Sequence, residues 1–265
     1  MPDSRIMDIT LVVDIGNTNI VCAVFDGGKI VARCRILSAP LSSIETYYSQ
    51  LGKLLPEYPL TLIKYVAIGS VVPALTPIWE ALFARFSSAR VFTINGLSPI
   101  GLAYQIKDTS SVGADLVANA YAAWKIYQEP AIVVDLGTAT TIQLILPDGL
   151  YAGLVIAPGM KTAAAQLFAN AAQLEAFPLE APHETLGNGS QAALCSGIVL
   201  GHALMIVGFV AEISRDYPQF APYKVILTGG LAAMIAPLCH PEFIVDSDLT
   251  LQGLHLATSY LISQA

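Results

Sequence analysis

Asp14-Ile15-Gly16-Asn17-Thr18 and Asp135-Leu136-Gly137-Thr138-Ala139-Thr140-Thr141 are two versions of one phrase in a chain of 265 residues. Each follows a β-rich apolar run, residues 9–14 and 131–135, and each leads into a second run, residues 20–25 and 142–146. Those second runs close on turn-forming residues, Asp26-Gly27-Gly28 and Pro147-Asp148-Gly149. Strand, turn, strand, turn, written twice, implies an internal duplication. Glycine lets a turn bring its backbone N–H groups close to phosphate oxygens, and amide or hydroxyl side chains add donors. An aspartate at the strand end can hold magnesium directly or through water, because magnesium on a nucleoside triphosphate keeps several waters and takes only one or two carboxylates. One copy alone reads equally well as a plain hairpin with a capping aspartate. Two copies let facing hairpins grip a polyphosphate from both sides. The chain contains no G-x-x-x-x-G-K-[ST] and no G-x-G-x-x-G, so P-loop and Rossmann readings lack their defining residues.

Outward from these phrases, residues 29–37 read as a third strand, 43–55 as a helix, and 65–72 as a buried strand closed by Pro73. Residues 77–86 read as a further helix, as do 112–127, 160–174 and 192–217. Strand 224–227 runs into Thr228-Gly229-Gly230, another turn compatible with a nucleotide. The expected architecture is α/β, with two related domains spanning 1–125 and 126–265.

Hydrophobic residues make up 54% of the chain and charged residues 12%, with a mean hydropathy of +0.60, which raises the question of a membrane. The window 194–214 is long enough to span one and is charged only at Glu212. It also holds Gly197, Gly201, Gly208 and His202 and lacks flanking basic clusters, so a core or dimer-interface helix is expected and no membrane partner. A net charge of −7, with 13 Lys and Arg in all, argues against a nucleic-acid surface and for a small-molecule partner. Cys22, Cys34, Cys195 and Cys239 show no C-x-x-C spacing, and His183, His202, His240 and His255 share no ligand spacing. Trp79 and Trp124 read as core anchors, Tyr47-Tyr48 as surface or domain packing. Residues 1–10 carry Asp3, Arg5 and Asp8 and no apolar core of signal-peptide length, so a cytoplasmic location is expected.

Taken in order, Asp14 to Thr18, Ser70-Val71-Val72-Pro73, Gly113-Ala114-Asp115, Asp135 to Thr141, Ala152-Gly153 through Pro158-Gly159, Ser196-Gly197, Thr228-Gly229-Gly230 and Leu249-Thr250-Leu251-x-Gly253-Leu254 resemble the motifs of the type III pantothenate kinases. The first phrase alone is shared across the acetate and sugar kinase, heat-shock ATPase and actin superfamily, while the ordered set belongs to this branch. The resemblance implies a duplicated, actin-like (ribonuclease H-like) two-domain fold with the nucleotide site between the halves. It further implies a homodimer and ATP-dependent phosphorylation of pantothenate to 4'-phosphopantothenate, the first step of coenzyme A synthesis. Magnesium and a monovalent cation, potassium or ammonium, are the implied cofactors beside ATP.

By the same resemblance, Asp14, Ile15, Gly16, Asn17, Thr18, Asn19, Ile20 and Val21 would line the ATP phosphates, Asp14 holding magnesium through water, and Thr138 would contact the nucleotide. Asp135 would help hold the monovalent cation. Asp115 would be the general base for the pantothenate hydroxyl, with Gly113, Ala114, Leu116 and Gly189 also at the substrate. Phosphoryl transfer asks the protein mainly for positioning and charge stabilisation, with one carboxylate orienting the nucleophile. A carboxylate at that point is also what a helix N-terminus favours.

The chain departs from the family pattern where Leu116 stands in place of Arg, where Asn188-Gly189 stands in place of Asn-Thr, where Ile106 aligns with an aromatic (Tyr104 lies two residues earlier), and in Ala171-Ala172-Gln173-Leu174-Glu175. All fall on the substrate side, and the phosphate phrases are intact. Two alternatives follow: a catalytically weak nucleotide-binding paralogue with a regulatory role, or a kinase of the same fold for another small hydroxyl compound.

Overall fold

Thr10–Ile15 (β1) is apolar throughout except at Thr10 and Asp14, and only Asp14 is less than fully buried, the pattern of a central strand covered on both faces. In the computed structural model, which describes residues 8–39, 42–170 and 177–265, β1 pairs antiparallel with Asn19–Asp26 (β2), Ile15 opposite Ile20. Lys29–Leu37 (β3) folds back on β2, while Tyr65–Ser70 (β4) and Arg90–Ile94 (β5) add in parallel on the other side. The sheet order is β3-β2-β1-β4-β5. Ile44–Leu54 (α1), capped by the Ser43 hydroxyl, and Thr76–Phe86 (α2), with Pro77 in its first turn, bury Tyr47, Leu51, Trp79 and Phe83 against Val13, Ile20 and Ile68. Trp79 is the expected anchor. Tyr47, expected in surface or domain packing, is buried with its hydroxyl donating to the Ala39 carbonyl at 2.9 Å.

The second sheet repeats the plan. After Ala103–Tyr104 (β6), Ala131–Leu136 (β7), Ala139–Leu146 (β8) and Leu150–Pro158 (β9) form an antiparallel trio. Lys224–Thr228 (β10) and Ile244–Val245 (β11) then add in parallel. Read from β9, the order β9-β8-β7-β10-β11 copies β3-β2-β1-β4-β5, with β6 added beside β9. The duplication expected from the two phrases is therefore present strand by strand. Strands β5, β6, β9 and β11 were not expected from periodicity. Two of them have only two residues each, and β9 is mostly half-buried rather than alternating.

The chain divides into two units that are not contiguous in sequence. Unit 1 comprises Met1–Gly101, Asp108–Ala122 and Thr250–Ala265, and unit 2 comprises Leu102–Lys107 and Ala123–Leu249. The single cut expected after residue 125 differs from this at both ends. Residues 103–104 leave for unit 2 because β6 pairs with β9, and the C-terminal helix Leu249–Ser263 returns to unit 1. There it crosses Ala114–Ala122 (α3), which continues through the π-helical turn Ala123–Tyr127.

Labelling the remaining helices Met160–Asn170 (α4), Ser190–Cys195 (α5), Gly201–Asp216 (α6), Ala232–Ile235 (α7) and Leu249–Ser263 (α8), the α8–α3 crossing explains the C-terminal motif. A Cβ on Gly253 would sit 1.9 Å from the Ala118 carbonyl oxygen, so the two helix backbones touch. Thr250 donates to Asn119 Oδ1 at 2.7 Å, and Leu254 lies against Gly69 of β4. Gly253→Ala is expected to lower stability by about 3 kcal/mol, because the obstacle is backbone and overpacking of this kind cannot relax locally; urea unfolding measures it, and a loss under about 0.5 kcal/mol would remove the close-approach reading.

Helix α4 was expected to run to 174, and positions 171–174, like the departure at Ala171 to Glu175 and the charges at Asp3 and Arg5, lie outside the described residues. Helices α5 and α6 join through the π-turn Ser196–Leu200 into one helix, Ser190–Asp216. Among the described residues it is the helix long and apolar enough to cross a membrane, and only 28% of its apolar window is buried. One face packs on the core of the second sheet through Val199, Ala203 and Ile206, and much of the remaining apolar surface is uncovered in the single chain. Trp124 is half-buried, its ring seated against Gly149 at positive φ.

Candidate active site

In unit 1 the parallel pair β1 and β4 places Asp14 beside Gly69 and Ile15 beside Ser70, so the carboxyl ends of both strands form one edge. Such edges are where open α/β sheets receive ligands. Asp14 is half-buried there, and the turn that follows is closed by the Gly16 N–H donating to the Asn19 carbonyl at 3.0 Å. A Cβ on Gly16 would lie 3.1 Å from that same oxygen. Asn17 and Thr18 are exposed, while Asn19 and Val21 are half-buried. The side chains of Ile15 and Ile20 are fully buried in the core, which leaves them only backbone groups to offer a phosphate. Within the expected stretch from Asp14 to Val21, the side chains left outside the core are polar except Val21, and the isoleucines hold the hairpin to the sheet.

Asp115 arrives at the same edge from the first turn of α3. Gly113 precedes it so closely that a Cβ there would meet Asp115 Oδ1 at 2.6 Å and Val71, just past the end of β4, at 3.3 Å. The carboxylate accepts from the Leu116 N–H at 2.7 Å. Burial pushes the Asp115 carboxyl above its ordinary value, opposed by the Leu116 and Asp115 backbone N–H groups. A carboxylate raised in this way has more affinity for a proton, the direction a general base needs. Ala114 and Leu116 are buried, Leu116 being 9% exposed, so neither presents a side chain to a substrate as freely as Asp115 does. The apolar residue at 116 is accounted for by this packing.

The second phrase also folds as a hairpin, one residue tighter, with Leu136 opposite Thr140 where Ile15 is opposite Ile20. Asp135, half-buried, pairs with Thr141 across the hairpin and with Thr228 of β10. Gly229 has φ of +86°, and a Cβ there would fall 2.5 Å from Asp135 Oδ1, so the backbone of Thr228-Gly229-Gly230 forms a cradle against the carboxylate that any side chain would fill. Gly137 and Thr138 are exposed at the turn. Behind it, Thr140 Oγ1 and His202 Nε2 lie 2.8 Å apart in a buried hydrogen bond, and burial lowers the affinity of His202 for a proton. Among the described residues no cluster of three or more His, Cys, Asp or Glu side chains could hold a metal. The carboxylates Asp14 and Asp135 instead suit cations that keep water or take backbone oxygens.

Gly189, at the N-terminus of α5, lines a cavity of about 600 Å³ together with Glu180, His183, Gly187 and Asn188. Nothing lies within 4 Å of where its Cβ would be, so the missing threonine leaves open space. Tyr104, the aromatic near the expected position, sits on β6 with its ring 5.7 Å from that of Tyr151. Sequence reading missed Ser38 and Thr162. Ser38 donates to the Gly16 carbonyl at 2.5 Å, and Thr162 donates to the Thr138 carbonyl at 2.7 Å. The signal for Ser38 was its place one residue beyond Leu37, which pairs with Asn19; Thr162 had none in the local pattern.

The family model for type III pantothenate kinase matches residues 10–212. The type III pantothenate kinase of Thermomicrobium roseum is 40% identical over 250 residues, 93% of this chain and 95% of that protein. Among solved structures, a Campylobacter jejuni protein named for the Baf family of transcriptional activators aligns with a TM-score of 0.62 at 20% identity, covering 96% of this chain and 99% of that one. A ROK family glucokinase from Streptomyces griseus, solved with glucose and AMPPNP, aligns with a TM-score of 0.52 at 15% identity, covering 97% and 100%. The structural likenesses show the fold, the actin-like α/β duplication traced above. With the family model covering most of its length and a relative this similar end to end, the chain belongs to the type III pantothenate kinase family.

Proposed function

We propose that the protein transfers the γ-phosphoryl group of ATP to the primary hydroxyl of pantothenate, giving ADP and 4'-phosphopantothenate. The observation that carries this reading is Asp115: a desolvated carboxylate at the sheet edge that also carries the Asp14 turn, in a chain of this family. Asp115 accepts the hydroxyl proton as the hydroxyl oxygen bonds to the γ-phosphorus and the bond to the bridging oxygen of ADP breaks. Asp14 to Val21 present polar side chains and backbone to the phosphates, and Thr138 meets the nucleotide. Asp14 would be the residue to hold magnesium, which would supply charge neutralisation of the phosphates. Asp135, against the Gly229 backbone, would be the residue to hold potassium or ammonium. Gly113, Ala114, Leu116 and Gly189 border pantothenate, Ala114 and Leu116 through their backbone, since their side chains are buried.

A cytoplasmic homodimer is the corresponding assembly. Its support is the helix Ser190–Asp216, whose apolar residues, Leu204 at 58% exposure among them, are too numerous for a free surface. Sedimentation at micromolar concentration is expected to give the dimer mass, and a monodisperse monomer would remove this part.

Purified protein with ATP, magnesium, potassium and pantothenate is the deciding test. Turnover at an ordinary kinase rate, about 1–100 per second, is expected, with phosphopantothenate identified by mass. Bound ATP with no phosphopantothenate would overturn the proposal.

A further inference from the structure

A turn that binds a polyphosphate must show it N–H groups and hide its carbonyl oxygens, since a carbonyl lone pair repels an anionic oxygen. Within a trans peptide the C=O and the following N–H point in opposite directions in one plane, so whatever holds the carbonyl also aims the amide. In the first turn the Gly16 carbonyl is not held within the hairpin loop alone. It accepts from the Ser38 hydroxyl at 2.5 Å, and the Ser38 N–H donates to the Thr18 carbonyl at 3.1 Å. In the second turn the Thr138 carbonyl accepts from the Thr162 hydroxyl at 2.7 Å and from the Gly159 N–H at 3.1 Å. A Cβ on Gly159 would lie 2.3 Å from that carbonyl oxygen, so only glycine lets the chain come this near. The two donors come from unrelated places, just past β3 and the first turn of α4, yet each fixes one carbonyl of its own turn, that of the first turn residue, Gly16, in one and of the second, Thr138, in the other.

We infer that Ser38 and Thr162 are positioning residues, each locking the peptide plane of a phosphate turn so that its carbonyl faces away from ATP and its amide, Asn17 N–H in one turn and Ala139 N–H in the other, keeps a fixed aim. This rests on the nucleotide reading of the two turns given above. Neither hydroxyl needs to touch the nucleotide. Their effect is specific to it, because pantothenate meets Asp115 and Gly113, which neither hydroxyl contacts.

The test uses the full chain with Ser38→Ala, Thr162→Val, and the hydroxyl-keeping changes Ser38→Thr and Thr162→Ser. Affinity for a non-hydrolysable ATP analogue is read by calorimetry, KM for ATP and for pantothenate by turnover, and folding by melting temperature. Ser38→Ala and Thr162→Val are each expected to weaken analogue binding and raise the KM for ATP about tenfold, the effect of one polar interaction lost. The KM for pantothenate stays within about twofold, and the hydroxyl-keeping variants recover most of the affinity. Thr162 is exposed, so its replacement opens no buried hole and keeps the test readable if the Ser38 variant folds poorly. Unchanged analogue affinity in Thr162→Val, or a loss that Thr162→Ser fails to repair, would overturn the inference. Analogue binding needs no turnover, so absence of phosphopantothenate in the wild type strikes the proposed reaction and leaves this reading to stand or fall on its own.

Discussion

Asp115→Asn is expected to lower phosphorylation of pantothenate by about 10³-fold, within the range that loss of a general base gives, while ATP-analogue affinity stays close to wild type. The substitution keeps the volume and one oxygen for the Leu116 N–H, so what it removes is the capacity to take a proton. A second consequence runs the other way. Burial raises the Asp115 carboxyl above its value in the unfolded chain, so the folded state binds this proton more tightly. Above the folded pKa the group is charged and desolvated, and it costs stability; as pH falls below that pKa the cost shrinks, and it is gone below the ordinary carboxylate value. Asp115→Asn should therefore melt higher than wild type at neutral pH, and the difference should close as the solution is acidified below the raised pKa. The acid limb of kcat/KM in the wild type should fall in that same window. Melting temperature and turnover measured on both proteins from pH 4 to 8 check all of this. Retained turnover would remove Asp115 from the chemistry, whereas lost turnover with no stability gain at neutral pH would contradict the desolvation of its carboxylate.

The parts of this protein that could be read from sequence are those set by local rules. Two glycine-containing turns after aspartates, each between apolar runs, gave the hairpins β1–β2 and β7–β8, because turn chemistry and a buried strand both leave clear marks. The interleaving of the two units was hidden. Whether α8 joins one unit or the other depends on Gly253 meeting Ala118 and Thr250 meeting Asn119, contacts between residues more than a hundred positions apart. Strand β6 has two residues and exists only because Ala103 and Tyr104 find β9. The site was legible to the extent that its residues sit in those turns: Asp14, Asp115 and Asp135 stand at strand or helix ends as expected, and Ile15 and Ile20 belong to the core because strand alternation takes their side chains inward. The departures from the family pattern separate on the same ground. Leu116 is buried, so an arginine there would need a different local packing, while Gly189 faces open space and a threonine would fit without moving anything.

Asp14→Asn is expected to cost Mg-ATP use on the order of 10² to 10³ in kcat/KM, the scale typical of a preorganised electrostatic group, with no loss of fold. Asp14 is a carboxylate at the end of the strand that leads into the turn proposed to hold phosphate, an arrangement that is unfavourable unless a cation stands between them. Two like charges about 5 Å apart in an effective dielectric of about 20 repel by roughly 3 kcal/mol. The same magnitude changes sign when magnesium bridges them, and this sets the two halves of the prediction. Without magnesium, the asparagine variant should bind ATP as well as wild type or better, since a repulsion has been removed. With magnesium, it should need more of the metal to reach a lower maximal rate. Asparagine preserves the size of Asp14 and its strand position beside Gly69 and Val21, so the buried hairpin has no reason to open. Calorimetry with and without magnesium, beside turnover as a function of magnesium concentration, separates the two effects. Activity within about twofold of wild type would remove magnesium from this turn, and so would equal weakening of ATP with and without the metal, because a carboxylate acting on phosphate through a cation has to lose its effect when the cation is taken away.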